Sequence, residues 1–468
     1  MSPECHIEHA YDRSVDSLGT ALADVVGERF VSSDPDVLAA RATDLTGRYS
    51  GRASALVRPA NTAEVSAVLN VCRGAGVKVT VQGGRTGLEA GTVPEHDDVL
   101  LSTERLDAVG KVDREERLIT AGAGVTLSAL QKTVADAGLL FGVDIASRDS
   151  ATIGGMVSTD AGGLHTVRYG HMSAQVRGLE VVLPDGAIVR RRMRANAENC
   201  GYDMPALWAG GEGTLGVITA VDLALRPAPS HRVTALAGFA HLPRLIDAVR
   251  MLRRLDDVDA VEMLDGRGLE LAHSQLGLAV PTELPWYLLV ELAGTSDRTE
   301  ELGEALQRCD PDGEPAVGID PVGRARVWAT REAFAEVVGL FGAPVKFDAA
   351  LPLDAVAAFV EDAVALVSDR APDAIPVLFG HIADGNVHLN VLGCPDESVL
   401  YRTVTELIRD HGGVIASEHG VGAHKRNYLD FARSTEDITA MWAVKRAFDP
   451  DDYLNPAVMF PDWVRRPR

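Results

Sequence analysis

VKVTVQGGRTGL, residues 77–88, joins an alternating strand to a glycine-rich loop without a break. Val77, Val79 and Val81 alternate with Lys78 and Thr80, the two-residue period of a half-buried strand. Upstream, Asn61 with Glu64 three residues on marks a helix start. Val65, Val68, Leu69 and Cys72 give that helix one apolar face, and Gly74 and Gly76 end it. The segment reads as a βαβ-like unit. A second unit follows: Leu118-Ile119-Thr120-Ala121 leads into GAGVT (122–126), then a helix with Leu127, Leu130 and Val134 inward and Gly138 as its stop. GAGVT does not complete the dinucleotide signature, because position 127 is Leu. Residues 140–220 are dense in glycine, in TIGGMVSTDAGG (152–163), RYG (168–170) and GGEGTLGVIT (210–219). Such runs suit backbone that passes close to a ligand, or a set of tight turns in a β domain.

Near the C-terminus, GHIADGNVHLN (380–390) sets His381 and His388 around Asp384-Gly385. Asp-Gly between apolar residues predicts a two-residue hairpin turn, with Ile382 opposite Val387 and His381 opposite His388. Opposed Cβ atoms lie roughly 5 Å apart, close enough for both imidazoles to reach one metal ion at about 2.0–2.1 Å. Glu418, in SEHGVG (417–422) after the β-like run Val414-Ile415-Ala416, supplies a third ligand. Two His and one Glu leave a coordination position open, the mark of a catalytic site. The alternative is two sheet histidines and a surface glutamate.

At 468 residues the chain has room for roughly three domain-sized units. Hydrophobic residues make up 46% and charged residues 24%, so a sizeable core can form. The net charge of −22 argues against nucleic acid or an anionic membrane as partner. An acidic protein that binds an anion needs local Arg or Lys. Cys5, Cys72, Cys200, Cys309 and Cys394 form no CxxC, which disfavours zinc fingers and iron–sulfur clusters and fits reduced thiols in the cytoplasm. The N-terminal MSPECHIEHAYDRS has no apolar signal core, and no apolar run reaches about 18 residues. Leu18, Leu22, Val25 and Val26 predict a helix within a helical first segment. Arg226-Pro227-Ala228-Pro229 reads as a domain boundary, and FDPDDYLNP (448–456) as a turn-rich return.

In this order, QGGRTGL, the glycine-rich 152–163 with GGEGTLG, and the His/His/Glu set resemble flavoproteins of the vanillyl-alcohol-oxidase fold. Within that group the chain resembles FAD-linked D-2-hydroxyacid dehydrogenases, above all the D-2-hydroxyglutarate branch, over about residues 50–460. The resemblance implies an α+β fold: a helical segment (1–50), a two-subdomain FAD-binding domain (51–228), a substrate and metal-binding cap (229–440), and a C-terminal segment returning to the FAD domain (441–468).

It further implies that Gly83, Gly84, Arg85, Thr86, Gly87 and Leu88 hold the FAD pyrophosphate through backbone N–H groups. Thr152, Gly154, Gly155, Asp160, Gly162 and Gly163 run along the flavin. Glu212, Gly213, Gly216 and Val217 lie on the adenine and ribose side, and Asn455 sits in the return segment. No His or Cys stands where relatives tether FAD, so the cofactor is expected to be non-covalent. The metal ligands fall on His381, His388 and Glu418, suiting zinc, with manganese or iron also compatible. Asn390 and His419 fall beside the substrate's reacting end, His419 either as the base or as a hydrogen-bonding partner. Arg331 and Lys346 fall where a distal carboxylate is clamped.

Four positions depart from the family pattern: Arg85, Asp160, Gly211, and Ala335 one helical turn after Arg331. The last puts a five-carbon diacid in question. The expected reaction is oxidation of a small anionic D-2-hydroxyacid, with D-2-hydroxyglutarate first and D-lactate or glycolate as the alternative. Electrons would pass to a separate acceptor such as an electron-transfer flavoprotein or a quinone. A homodimer is an assembly the resemblance allows. A flavin-free zinc hydrolase using the same three ligands is the competing reading.

Overall fold

The computed structural model describes residues 17–192, 200–394 and 396–466; most of the N-terminal stretch read above lies outside them. The helix predicted after Asn61 spans Thr62–Ala75. The Asn61 side chain accepts the Glu64 N–H at 3.0 Å, and Glu64 Oε2 accepts the Ala60 N–H at 2.7 Å. Gly76 closes the helix at φ 67. Its apolar face packs on a four-stranded sheet ordered Val31–Ser32, Ala53–Val57, Asp98–Ser102, Val79–Gln82, whose last three strands are parallel. A second, antiparallel sheet follows, ordered Leu118–Gly122, Val217–Ala224, Val176–Val182, Ile188–Arg192. Leu18, Leu22 and Val26 share the apolar core beneath these sheets.

From residue 231 the chain builds a seven-stranded antiparallel sheet. Its order is Ala316–Gly318, His231–Phe239, Trp286–Gly294, Val258–Asp265, Ile375–Gly380, Asn386–Leu392, Val345–Ala350. Helices Leu242–Leu252, Thr299–Cys309, Val356–Arg370 and Tyr401–Asp410 cover one face. Helices Gly266–Leu276 and Pro321–Val337 cover part of the other. The uncovered end of that second face, near the last strands, faces the glycine-rich loops of the first two sheets.

The hairpin register differs from expectation. Ile375–Gly380 and Asn386–Leu392 pair antiparallel, but His388 lies opposite Phe379 rather than His381. Residues 382–384 form a 3-10 turn and Gly385, at φ 74, turns the chain back. The two-residue hairpin turn needs positive φ at both central residues, and only Gly385 supplies it. The expected strand at 414–416 is reduced to two isolated bridges, Ala350 with Val414 and Asp348 with Ala416. TIGGMVST is neither a turn nor extended chain: Ile153–Thr159 is helical.

The C-terminal segment closes onto the first sheet. Val79 N donates to Tyr453 O at 2.9 Å and Asn455 N to Val79 O at 2.8 Å. Lys445, on helix Thr435–Phe448, is fully buried and caps this return by donating to Thr214 O (2.9 Å), Leu454 O (2.8 Å) and Asp449 Oδ2 (2.6 Å). Removing one partner of a buried ion pair strands the other charge, at a cost of about 3 kcal/mol. Lys445→Met is therefore expected to lose about 3 kcal/mol in urea unfolding; a loss below about 0.5 kcal/mol would show that the return segment needs no ionic cap.

Candidate active site

The site is laid out by alternation on two paired strands. Val345–Ala350 and Asn386–Leu392 run antiparallel, with Lys346 opposite Asn390 and Asp348 opposite His388. Val345, Phe347, Ala349, Val387, Leu389 and Val391 point into the apolar core. The alternation thus sends Lys346, Asp348, His388 and Asn390 to the opposite face, where Lys346, His388 and Asn390 line a cavity of about 650 Å³.

His381 enters from the turn that follows Gly380. Its Nδ1 lies 2.6 Å from Glu262 Oε1, and its Nε2 lies 3.0 Å from Glu418 Oε1. Ligand atoms of His381, His388 and Glu418 all fall within 4.8 Å of one another. The corrected register does not separate the two imidazoles: their centroids are 5.6 Å apart. Burial works against charge on His381, but Glu262 and Glu418 outweigh it and hold its pKa up at about 10. Burial would raise Glu418, yet His381 pulls its pKa down to about 2. Burial also keeps His388 below the ordinary value, in the neutral form that ligates metals.

These residues fit a divalent cation. His381 Nε2 and Glu418 Oε1, 3.0 Å apart, are two atoms that a cation would bind. The outward nitrogens follow the carboxylate–histidine pattern of metal sites: Glu262 backs His381, and Asp348 Oδ1 lies 3.4 Å from His388 Nδ1. Asp348, His388 and His419 form a second group of possible ligands, but Asp348 is already occupied. Its Oδ2 accepts the N–H groups of Ser417, Glu418 and His419 at 3.0, 2.8 and 3.0 Å, and its Oδ1 that of Asn386 Nδ2 at 2.8 Å.

The other end of the 417–422 loop is held from the FAD side. Val421 N and Gly422 N each donate to the Glu212 carboxylate at 2.7 Å. Burial pushes Glu212 up to about 7 against the pull of these two bonds. Its side chain is thus spent on the loop, and its backbone carbonyl accepts Asn455 Nδ2 at 2.7 Å. His419 stacks on His388 with centroids 5.4 Å apart, and its Nδ1 lies 3.5 Å from Asp348 Oδ2.

The two expected carboxylate-clamping cations differ in state. Lys346 has no ion pair among the described residues, and burial lowers its pKa. Arg331, expected to clamp a distal carboxylate, is half committed: its Nε donates to Glu262 Oε2 at 2.7 Å and its guanidinium lies 4.6 Å from the Phe379 ring. Both line the cavity, as does Ala335.

The glycine-rich loops form the opposite wall. Gly83 to Leu88, Thr152, Gly154, Gly155, Gly162, Gly163, Glu212, Gly213, Gly216, Val217 and Asn455 all line the cavity. A Cβ on Gly84 would sit 1.9 Å from Ser150 O, so only glycine lets these two loops meet. This glycine-rich wall fits a cofactor bound through backbone N–H groups. Arg85 holds φ 56 within it. Asp160 is not brought to the wall. It ends helix Ile153–Thr159 at φ 50, and its carboxylate accepts Ser173 N at 2.7 Å.

Residues 53–192 match the family described as FAD binding domain, and residues 228–459 that described as FAD linked oxidases, C-terminal domain. The chain is 33% identical to the mitochondrial D-2-hydroxyglutarate dehydrogenase of Bos taurus, over 94% of this chain and 83% of that protein. It is also 33% identical to the D-2-hydroxyglutarate dehydrogenase of Xanthomonas citri pv. viticola, over 92% of this chain and 94% of that one. In fold it is similar to p-cresol methylhydroxylase, with a TM-score of 0.80 at 15% identity over 97% of this chain and 98% of that one. The 4-ethylphenol oxidase of Gulosibacter chungangensis gives 0.74 at 16% over the same shares. The FAD-binding match removes the support for a flavin-free hydrolase. Matched in both halves and aligned with these enzymes over nearly its whole length, the chain belongs to the FAD-linked D-2-hydroxyacid dehydrogenases of the vanillyl-alcohol-oxidase fold.

Proposed function

We propose that the protein oxidises a D-2-hydroxyacid, D-2-hydroxyglutarate first, to its 2-oxoacid, using non-covalent FAD and a divalent cation, zinc in preference. The observation that carries this reading is a shared cavity. The His381, His388 and Glu418 donor set and the unpaired Lys346 open onto the same space as the glycine wall. The glycine wall would hold FAD, which when bound would supply the hydride acceptor, and His381, His388 and Glu418 would hold the cation, which would supply a lowered hydroxyl pKa.

The remaining work falls to side chains. Asn390 orients the C1 carboxylate. His419 accepts the hydroxyl proton on Nε2, since its Nδ1 is turned to Asp348, and the Asp348 charge steadies the resulting imidazolium. Lys346, half-buried with no contact ion pair among the described residues and only the more distant Glu89 charge to offset it, gains a direct partner when a distal carboxylate binds. The free edge of Arg331 supports it. Electrons leave to a separate acceptor, an electron-transfer flavoprotein, a quinone or another carrier. The dispersed cysteines support a cytoplasmic setting, and among the described residues no helix is long and apolar enough to cross a membrane. One fact favours a shorter substrate, D-lactate or glycolate: Ala335 offers no hydroxyl beside Arg331, whose other edge is spent on Glu262.

A panel of D-2-hydroxyacids with an artificial electron acceptor tests the reading. D-2-hydroxyglutarate should give the highest kcat/KM, its L enantiomer none, and a chelator should remove the activity until zinc is restored. Turnover that survives exhaustive chelation would end the metal assignment. In the same assay His388→Ala is expected to lose at least about a thousandfold in kcat while the purified protein keeps its flavin absorbance; parallel loss of flavin would make His388 structural. Lys346→Met is expected to raise KM about 10- to 100-fold for D-2-hydroxyglutarate, the worth of a charged hydrogen bond, and little for D-lactate. Equal effects on both substrates would refute the distal clamp.

A further inference from the structure

The cavity wall holds a carboxylate that the mechanism above does not use. Glu89 lines the cavity, with its side chain only 6% exposed. Its Oε1 is 2.9 Å from Lys425 Nζ and its Oε2 is 3.0 Å from His424 Nδ1. The other ring nitrogen, His424 Nε2, lies 3.5 Å from Glu397 Oε1. Glu397 in turn accepts the Tyr49 hydroxyl at 2.7 Å and pairs with Arg48 at 3.3 Å. Glu397 is 29% exposed and Arg48 20%, so this end reaches water. Neither His424 nor Glu397 belongs to the cavity wall. A carboxylate, an imidazole and a carboxylate therefore run in series from the cavity to the surface.

The arrangement exceeds what a loop tie requires. Ala423 N and His424 N already donate to Glu89 O at 2.9 and 3.2 Å, and Lys425 already neutralises the Glu89 carboxylate. An imidazole between two carboxylate oxygens adds a different capacity: it takes a proton at one nitrogen and releases one from the other. The ring is held for this, with the Tyr401 ring at 4.3 Å and the Tyr49 ring at 5.0 Å between centroids. Lys425, Lys346, His419 and Glu212 act electrostatically on Glu89, while Glu397, Tyr49 and Tyr401 surround His424.

Oxidation of a hydroxyacid leaves a proton to be removed. The C2 hydrogen would depart with its electron pair to the flavin; the O–H electron pair becomes the second C–O bond, and the hydroxyl hydrogen, taken up by His419, must leave that imidazole as a proton across the cavity that His419 and Glu89 both line. We propose that Glu89, His424 and Glu397 conduct this proton out, an inference that rests on the dehydrogenase reading. The proton entering at Glu89 passes from Oε2 to His424 Nδ1. The Nε2 proton passes to Glu397 Oε1 and on to water. The starting tautomer returns once product release opens the cavity to water: Nδ1 gives its proton back through Glu89 to that water and Nε2 regains one from solvent through Glu397, so that each turnover releases one proton. No electron moves and no other reactant is consumed.

Stopped-flow bleaching of the flavin in the intact holoenzyme by D-2-hydroxyglutarate tests this. His424→Gln and Glu397→Gln are expected to slow bleaching by about tenfold or more, to change its dependence on H2O against D2O, and to make it rise with buffer concentration. Added imidazole should restore rate to His424→Ala. Wild-type bleaching rates in both Gln variants, or a slowing that neither buffer nor imidazole relieves and that leaves the D2O effect unchanged, would overturn the path and leave these residues as packing. Glu397→Gln, at a half-exposed position, keeps the test open should His424 variants fold poorly. If the wild-type flavin is not bleached by any D-2-hydroxyacid, the functional reading fails instead.

Discussion

One buried carboxylate organises the site. Asp348 accepts three successive N–H groups, those of Ser417, Glu418 and His419, on a single oxygen. A run of N–H groups converging on one anion is a stable nest. The charge would be costly at this depth if unmatched; His419, His388 and Lys425 hold its pKa well below the ordinary value despite burial. The consequence is positional. Glu418 and His419 have no strand or helix to place them, and the Asp348 nest takes over that task. Since Asp348 also lies beside His388 in the adjoining strand, one residue sets both the strand imidazole of His388 and the loop carboxylate of Glu418 against the same point.

The second anchor comes from the other half of the molecule. Glu212, between the flavin-side loops and the strand Val217–Ala224, takes the N–H groups of Val421 and Gly422. The loop therefore hangs between one carboxylate of the seven-stranded sheet and one of the FAD-binding half. The donor set and the glycine wall are brought together by the same five peptide groups. An acidic chain achieves this by using its carboxylates as acceptors inside the fold: Glu262, Asp348 and Glu212 each neutralise or orient something. The cationic side chains that line the cavity are then Lys346, Arg331, Arg85 and Arg148.

Much of this was legible in the sequence. The alternation Val345-Lys346-Phe347-Asp348 is visible in the sequence itself, and in the sheet Lys346 and Asp348 share one face. The capped helix at 62–75 and the helix at 127–136 were written in their caps and apolar spacing. The hairpin register was not, because Asp-Gly was read as a two-residue turn and the chain instead spends five residues on it. The helix at 153–159 was hidden by its glycines; Gly154 fits there because a Cβ would lie 2.5 Å from Ala123 Cβ, so it permits contact between two elements distant in sequence. Glu262 had no local signal. Every residue of Val258–Asp265 is buried, so the strand shows no alternation to flag one face as polar. Its partners, His381 and Arg331, lie 119 and 69 residues away. Glu89 and His424 escaped for the same reason, being 335 residues apart.

That the decisive segment is a loop also has a physical cause. Along a strand, neighbouring side chains point to opposite faces, so Glu418 and His419 could not both reach the cavity from regular β structure. A helix would place them about 100° apart, with its own N–H groups committed within the chain. Irregular backbone avoids both limits but needs its N–H groups satisfied elsewhere, which the two carboxylates accomplish. It also needs sharp turns in little space. Gly420 takes φ 75, and Gly422 takes φ 56 where a Cβ would lie 1.9 Å from Glu89 O. The close approach that excludes a side chain at Gly422 is the one that brings His424 to the Glu89 carboxylate. The backbone geometry that presents Glu418 and His419 to the cavity therefore also fixes the imidazole that leads away from it.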